Sequence, residues 1–191
     1  IMPSLNIGGG YTRGTPQYDL SSEMFGWFVA QGKSDKIVWD SHYSGARNFA
    51  DSDRFTNSMG IDLRIELEKD YPGHWLVLTP MEENGSRCDW DRGLAHAHNW
   101  NSLQRYGDHF RALGTANTFQ PHGQHYMWDQ GRVHYTSDEI WFQPSAHIDE
   151  MMTRDFLPLV VEATSSDDAI LDVTAKKNES GDSLSIYVVN L

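Results

Sequence analysis

The sequence predicts a mixed α/β fold over most of the chain, followed by the beginning of an all-β region. Up to about residue 155, short apolar runs alternate with segments in which apolar residues recur at helical spacing. After Pro158, three short β-type runs follow one another with turn residues between them and no helical pattern. Alternation of strands and helices is typical of α/β domains, and strands alone are typical of sandwiches. We therefore predict an α/β domain over residues 1–155 and the start of a β-sandwich over residues 156–191.

The first forty residues contain two predicted strands and one predicted helix. Met2 to Ile7 has the pattern of a strand and is followed by three glycines, and Lys36 to Trp39 forms a second apolar run. Between them, Pro16 to Lys33 has the pattern of a loop entering a helix. Ser21 or Ser22 is the predicted N-cap, because a serine hydroxyl can accept a hydrogen bond from the first turn.

The middle of the chain continues the alternation. A helix is predicted from about Asp51 to Asp70, ended by the Pro-Gly pair that follows it. Trp75 to Leu78 is an apolar run of the kind found in strands buried on both faces. Asp89 then caps a helix that is predicted to run to about Tyr106.

The last part of the chain changes from mixed to purely β-type patterning. Ala112 to Phe119 is the fourth predicted strand, Arg132 to Tyr135 a short extended piece, and Pro144 to Arg154 a helix. The predicted sandwich strands beyond Pro158 are residues 159–161, 170–175 and 184–189.

The composition limits the classes of partner. The net charge of −12 argues against nucleic-acid backbones and anionic membranes as partners, and it is compatible with a neutral substrate. Seven Trp, eight Tyr and eight Phe are numerous enough either to line a sugar-binding cleft or simply to fill the core. Cys88 is the single cysteine, so no internal disulfide is predicted.

Both ends of the sequence have the pattern of a truncated chain. The chain opens on Ile1 without an initiator methionine, and it closes at Leu191 within a strand pattern. No apolar run is long enough for a membrane span, and no signal peptide is visible. We expect a fragment of a longer polypeptide, and the sequence leaves open whether that protein is cytoplasmic or exported.

Polar groups follow three of the predicted strands. His42 and Tyr43 follow the second strand, and Glu82 to Asn84 follow the third. The loop after the fourth strand contains Gln124, Trp128, Asp129 and Gln130. In parallel sheets such strand ends share one edge, where catalytic side chains collect. A carboxylate there can attack an anomeric carbon if a second carboxyl group stands about 5 Å away, although either glutamate could instead lie on a solvated loop. Glu83 is a poor partner for Glu82, because successive strand residues point to opposite faces.

Other reactive residues carry weaker patterns. His122, His125 and His134 are close in sequence, but no carboxylate or cysteine completes a zinc-ligand pattern with them. Cys88 lies near a helix start, which lowers a thiol pKa, but it has no paired base. We predict no metal and no cofactor.

Several separated motifs resemble the C-terminal half of bacterial α-L-arabinofuranosidases. These are PMEENGSRCDWDRGLAHAHNWNSLQRYGD from residue 80, GTANTFQPHGQHYMWDQG from residue 114, IWFQP from residue 140 and PLVVEA from residue 158. The resemblance implies strands five to eight of a (β/α)8 barrel followed by a β-sandwich, and a retaining double-displacement mechanism.

The resemblance also assigns roles to individual residues. The family's Glu-x-Asn motif matches Glu82 to Asn84, which implies Glu82 as the nucleophile, with Glu83 as the fallback. The residues that border the nucleophile would be His42 and Tyr43. The loop after the last strand implies Trp128 as a ring wall and Gln130 as a ligand of a sugar hydroxyl.

The chain departs from the family pattern in two places. The family's acid/base glutamate follows an asparagine at a strand end, but Asn178-Glu179 lies in a predicted turn of the sandwich region. The acid/base is therefore expected in a missing N-terminal half of the barrel. In the loop, His125-Tyr126-Met127 replaces smaller or polar residues, which bears on substrate preference.

The sequence thus predicts a retaining glycosidase that releases α-L-arabinofuranosyl residues from the non-reducing ends of plant-type poly- and oligosaccharides, present here without its acid/base half. The alternative is a non-catalytic carbohydrate-binding or scaffold protein derived from such a barrel. The predicted partners are an arabinose-containing saccharide and the missing half of the barrel, with no nucleic acid and no membrane. A homo-oligomer is left open.

Overall fold

The protein has a mixed α/β fold with small sheets. A computed structural model describes the chain in segments, which are residues 13–39, 42–44, 61–79, 81–83, 89–112, 114–116, 118–123, 131–167 and 170–190. At residues 42–44, 62, 81–83, 115 and 116 only the backbone is described. The predicted strand Met2 to Ile7 and Cys88 lie outside these segments.

The described residues form four α-helices, which are α1 (Pro16–Ala30), α2 (Ile61–Asp70), α3 (Trp90–Arg105) and α4 (Pro144–Arg154), and two short 3-10 helices at Ser34–Lys36 and Gly107–His109. They also form eleven strands, which are β1 (Val38–Trp39), β2 (His42–Ser44), β3 (Val77–Leu78), β4 (Met81–Glu83), β5 (Gly114–Ala116), β6 (Phe119–Pro121), β7 (Val133–Tyr135), β8 (Ile140–Phe142), β9 (Leu159–Val161), β10 (Leu171–Lys177) and β11 (Leu184–Asn190). Within the described segments the strands make one two-stranded and three three-stranded sheets, none of which closes into a barrel.

The chain divides into two compact units. The first comprises Ile1–Tyr43, Asp53–Glu82 and Asp108–Gly114, and the second comprises Ser44–Ser52, Glu83–Gly107 and Thr115–Leu191. The domain boundary expected near residue 155 stays a prediction. None of the described helices has both the length and the apolar character of a membrane span.

The first unit is built around a parallel strand pair. β1 pairs with β3 so that Val38 lies opposite Val77, and Leu78 in turn bridges to Phe110 in parallel. Leu76 and Leu78 are fully buried, whereas Trp75 is exposed. Of the predicted run Trp75 to Leu78, only Val77 and Leu78 form a strand, and Val77 is half-buried.

The N-cap of helix α1 is Thr15, six residues before Ser21, the earlier of the two predicted N-caps. The side chain of Thr15 accepts a hydrogen bond from the backbone of Tyr18, and a proline follows in the first turn. Ser21 lies inside the helix, where its hydroxyl donates to the carbonyl of Gln17. The prediction of Ser21 or Ser22 as the cap was wrong, because a Thr-Pro pair is the stronger start signal.

Polar contacts join α1 to α2. The hydroxyl of Tyr18 donates to Asp70 at 2.6 Å, and Arg13 donates to Asp70 at 2.7 Å. The hydrogen bond from Arg13, followed by that from Tyr18, lowers the pKa of Asp70. The end of α2 is thereby held against the beginning of α1, and α2 agrees with the later part of the helix predicted from Asp51 to Asp70.

The second unit contains the longest elements. Asp89 caps α3 by accepting from the backbone of Arg92, as predicted. Helix α4 spans Pro144–Arg154, which are the predicted bounds. The core of the second unit is an apolar cluster of Ala97, Ile148, Met152, Tyr187 and Val189.

Three strands predicted beyond Pro158 form an antiparallel sheet of order β11-β10-β9. In this sheet Val173 lies opposite Val188, and Ala175 lies opposite both Ile186 and Val161. These strand predictions were confirmed.

The observed strands differ from the predicted ones in two places. The run from Ala112 to Phe119 was expected to form one strand, but it contributes to two: β5 beside β4, and β6 in parallel with β7. Strand β8 was not predicted; it pairs antiparallel with β7. It is only three residues long and all three are apolar, so its sequence lacks the polar–apolar alternation that reveals a strand.

Lys176 is a buried cation near the end of β10. Only 3% of its surface is exposed, and its ammonium group lies 3.4 Å from the ring centroid of Phe156. Burial lowers the pKa of Lys176 to about 8. Because the pKa of Lys176 is lower in the folded state than in the unfolded state, burial of the charged ammonium group lowers the free energy of unfolding. This penalty is fully present below about pH 8, and it disappears as the pH rises towards the unfolded pKa of about 10.4.

We expect Lys176→Met to raise the free energy of unfolding by about 1–3 kcal/mol at pH 7 and by less at pH 10. Chemical unfolding at the two pH values measures this difference. The matched control is Lys177→Met, an exposed position on the same strand, for which a change below about 0.5 kcal/mol is expected. An equal gain at both pH values would contradict the assigned cost of the buried charge.

Candidate functional site

Strand β4 carries the two predicted catalytic carboxylates. Glu82 and Glu83 are its second and third residues, and β4 is the central strand of the sheet ordered β2-β4-β5. These glutamates therefore belong to a strand, and not to a loop after it. A central strand is held on both sides, which is the kind of rigid support that a catalytic side chain requires.

The neighbouring strand β2 carries His42 and Tyr43. Two sets of residues predicted to share a site thus occupy adjacent strands of one sheet. Asn84, Trp128 and Gln130 lie outside the described residues. The catalytic and binding roles of all these residues stay predictions.

The loop predicted to carry Trp128 and Gln130 is anchored at both ends. At its start, the backbone of His122 donates to the carbonyl of Tyr135 at 2.8 Å. At its end, the backbone of Gly131 donates to the buried side chain of Gln120 at 2.7 Å. A Cβ on Gly131 would lie 2.4 Å from that of Gln120, so the close approach requires glycine.

Three rings pack beside this anchor. The centroids of His122 and Trp141 are 5.0 Å apart, and those of His134 and Trp141 are 5.8 Å apart. His134 is buried and His122 is exposed. His125, the third histidine of the weak metal pattern, lies outside the described residues, within which no group of three metal-ligating side chains occurs. The described rings support the end of the loop.

A partly buried polar cluster, which was not predicted from the sequence, surrounds Asp149 on α4. His96 Nε2 lies 2.8 Å from the carboxylate, the indole of Trp100 donates to it at 2.8 Å, and Arg132 forms an ion pair with it. His96 is fully buried. The cluster joins α3, α4 and the residue after Gly131, so it also fixes the end of the loop.

A second polar cluster, also missed, surrounds Asp172 on β10. Its carboxylate lies 2.7 Å from His98 Nδ1 and accepts from Arg105 at 2.6 Å, while its carbonyl accepts from Asn101 at 3.1 Å. Burial alone raises the pKa of Asp172, but the hydrogen bond with His98 and the charge of Arg105 outweigh burial and hold the pKa below its usual range. This cluster attaches helix α3 to strand β10. The partners are about 70 residues apart in sequence, and no local pattern signals such a pairing.

Comparison with solved structures relates this fold to a glycosidase. The arabinose-bound α-L-arabinofuranosidase MgGH51 aligns with 91% of the chain at a TM-score of 0.57 and 11% sequence identity. The chain spans 31% of the length of that enzyme. No family model matches the sequence, and no curated protein matches it. At this identity the likeness concerns the fold alone.

Proposed function

We propose that this chain is part of a retaining glycoside hydrolase that releases α-L-arabinofuranosyl residues, with Glu82 as the nucleophile. The observation that carries the proposal is the location of Glu82 on the central strand β4, next to the strand that bears His42 and Tyr43. The glycosidase-like fold supports it.

The strand spacing supports a specific neighbour for Glu82. Two residues separate β1 from β2, and two separate β3 from β4. The backbone of Thr79 donates to Trp39 at 2.8 Å, which extends the parallel ladder of β1 and β3 towards β2 and β4. If the register of Val38 with Val77 continues, Tyr43 lies beside Glu82.

The reaction then has two displacement steps. The carboxylate of Glu82 attacks the anomeric carbon, the glycosidic C–O bond breaks, and an acid delivers a proton to the leaving oxygen. The deprotonated acid next removes a proton from water, which attacks the same carbon and releases Glu82. Two inversions give net retention. This scheme requires a second carboxyl group about 5–5.5 Å from Glu82.

The second carboxyl group is proposed to come from the N-terminal half of a (β/α)8 barrel. The present chain then supplies strands five to eight and the first strands of a following sandwich. Four strands of a barrel leave two edges and an apolar face that only the other half covers. The substrate side would be completed by Asn84, by Trp128 as a ring wall and by Gln130 on a sugar hydroxyl.

The proposal is tested by comparing two proteins on 4-nitrophenyl α-L-arabinofuranoside. We expect the full-length protein to hydrolyse it with retention, and the 191-residue chain alone to be weakly stable and slower by at least roughly 10²- to 10⁴-fold, the usual contribution of general acid catalysis. Product stereochemistry is read by NMR. Comparable turnover by the 191 residues alone contradicts an external acid, and binding of arabino-oligosaccharides without hydrolysis by the full-length protein favours the non-catalytic alternative.

A further inference from the structure

The two residues that follow Gln130 in sequence are held through their backbone. The N–H of Gly131 donates to the buried side chain of Gln120 at 2.7 Å, and the carbonyl of Arg132 accepts from the N–H of Gln143 at 2.8 Å. A peptide group is planar, so the bond made by the Gly131 N–H also orients the peptide group that joins Gly131 to Gln130. Contacts of residues 131 and 132 therefore bear directly on the residue before them.

The side chain of Arg132 is anchored on the carboxylate of Asp149 in helix α4. The two side chains form an ion pair and are only 12% and 23% exposed. The carboxylate is itself fixed from helix α3, because the indole of Trp100 donates to it at 2.8 Å and Nε2 of the buried His96 lies 2.8 Å away. Removing one partner of an ion pair at low exposure leaves the other charge without its counter-ion. Asp149 thus determines where the side chain of Arg132 can lie.

We propose that Asp149 is a positioning residue for the substrate, because through Arg132 it holds Gln130 where the amide can bind a sugar hydroxyl. This inference rests on the proposed function, in which Gln130 binds the sugar. Asp149 touches no reacting atom in that scheme, so its loss weakens substrate binding and leaves the chemical step nearly intact. An interaction that is equally strong in the ground state and in the transition state affects KM and not kcat.

Asp149→Asn in the full-length protein tests this role. The amide keeps the size of the side chain but loses the charge that pairs with Arg132. We expect KM for 4-nitrophenyl α-L-arabinofuranoside to rise about tenfold, the effect of one lost hydrogen bond, with kcat changed by less than about threefold. Hydrogen exchange of the backbone at residues 131–133, measured by mass spectrometry relative to helix α3, should become at least about tenfold faster.

The matched control is Asp172→Asn. Asp172 likewise interacts with a histidine of α3 and forms an ion pair with an arginine, but it lies on β10. This variant should lose stability without the rise in KM and without faster relative exchange at residues 131–133. A merely structural role for Asp149 predicts that the two variants behave alike, and that result overturns the proposal. An unchanged KM in folded Asp149→Asn also overturns it.

Gly131→Ala provides a second test should Asp149→Asn fail to fold. The added Cβ would lie 2.4 Å from that of Gln120 and so displace the same stretch of backbone. A higher KM with kcat retained supports the proposal, and an unchanged KM contradicts it. Hydrogen exchange does not depend on catalysis. A full-length protein that shows the expected exchange but no hydrolysis therefore removes the proposed function and the substrate role that rests on it, while the anchoring of residues 131–133 by Asp149 stands.

Discussion

Glu82→Gln in the full-length protein is expected to reduce kcat/KM for 4-nitrophenyl α-L-arabinofuranoside by roughly 10⁴-fold or more. An amide keeps the size of the side chain but cannot form the covalent intermediate, so the two-step route is lost. Because Glu82 lies on the central strand of its sheet and the change is nearly isosteric, we expect the folded structure to persist. Initial rates and a thermal melt measure the two effects.

The matched control for this substitution is Glu83→Gln. Residue 83 is the next position on β4, and successive strand residues lie on opposite faces of a sheet. We expect this variant to retain most of the activity. The reverse pattern, with Glu83→Gln inactive and Glu82→Gln active, would assign the nucleophile to Glu83.

Asp172→Asn is expected to have the largest effect on stability, lowering the free energy of unfolding by about 3 kcal/mol at pH 7. The carboxylate is buried and interacts with both His98 and Arg105, and an amide can neither balance the charge of Arg105 nor accept from both partners equally well. Such a loss is a large part of the stability of an ordinary domain. Chemical unfolding of both proteins measures it.

The effect of Asp172 has a defined pH dependence. Its folded-state pKa is lowered, so its contribution is fully present above the unfolded pKa of about 3.9 and is lost as the pH falls through the folded value. The difference between the parent protein and Asp172→Asn should therefore narrow only below about pH 4. Asp167→Asn, at an exposed position on the approach to β10, is the control and should change stability by less than about 0.5 kcal/mol. A constant difference down to pH 2 would contradict this role.

Local sequence signals predicted those helices and strands that are bounded by a proline, a capping residue or turn residues. The beginning of α4 follows from Pro144, and the beginning of α3 follows from the capping carboxylate of Asp89. The strands beyond Pro158 were predicted because their apolar runs are separated by turn residues. These signals lie within a few residues of the feature that they specify.

Features that depend on distant residues could not be predicted in this way. Asp149 and Asp172 are satisfied by partners on other elements, and their neighbours in sequence do not reveal those partners. The candidate site could be predicted from the sequence only in part. The carboxylates after an apolar run predicted the position of the site in the sequence. The adjacency of β2 and β4, in contrast, is a property of the folded sheet. The identity of the nucleophile is a chemical question that requires a chemical test.

The most direct test is to label the nucleophile in the full-length protein. An arabinofuranose-configured cyclitol epoxide, which reacts covalently with the nucleophile of a retaining glycosidase, would be incubated with the protein, and the digested protein would be sequenced by tandem mass spectrometry. We predict a single adduct on Glu82 that is absent from the Glu82→Gln variant and present in Glu83→Gln. An adduct on Glu83, an adduct on another carboxylate, or no adduct in protein that binds the sugar would contradict the proposed role of Glu82.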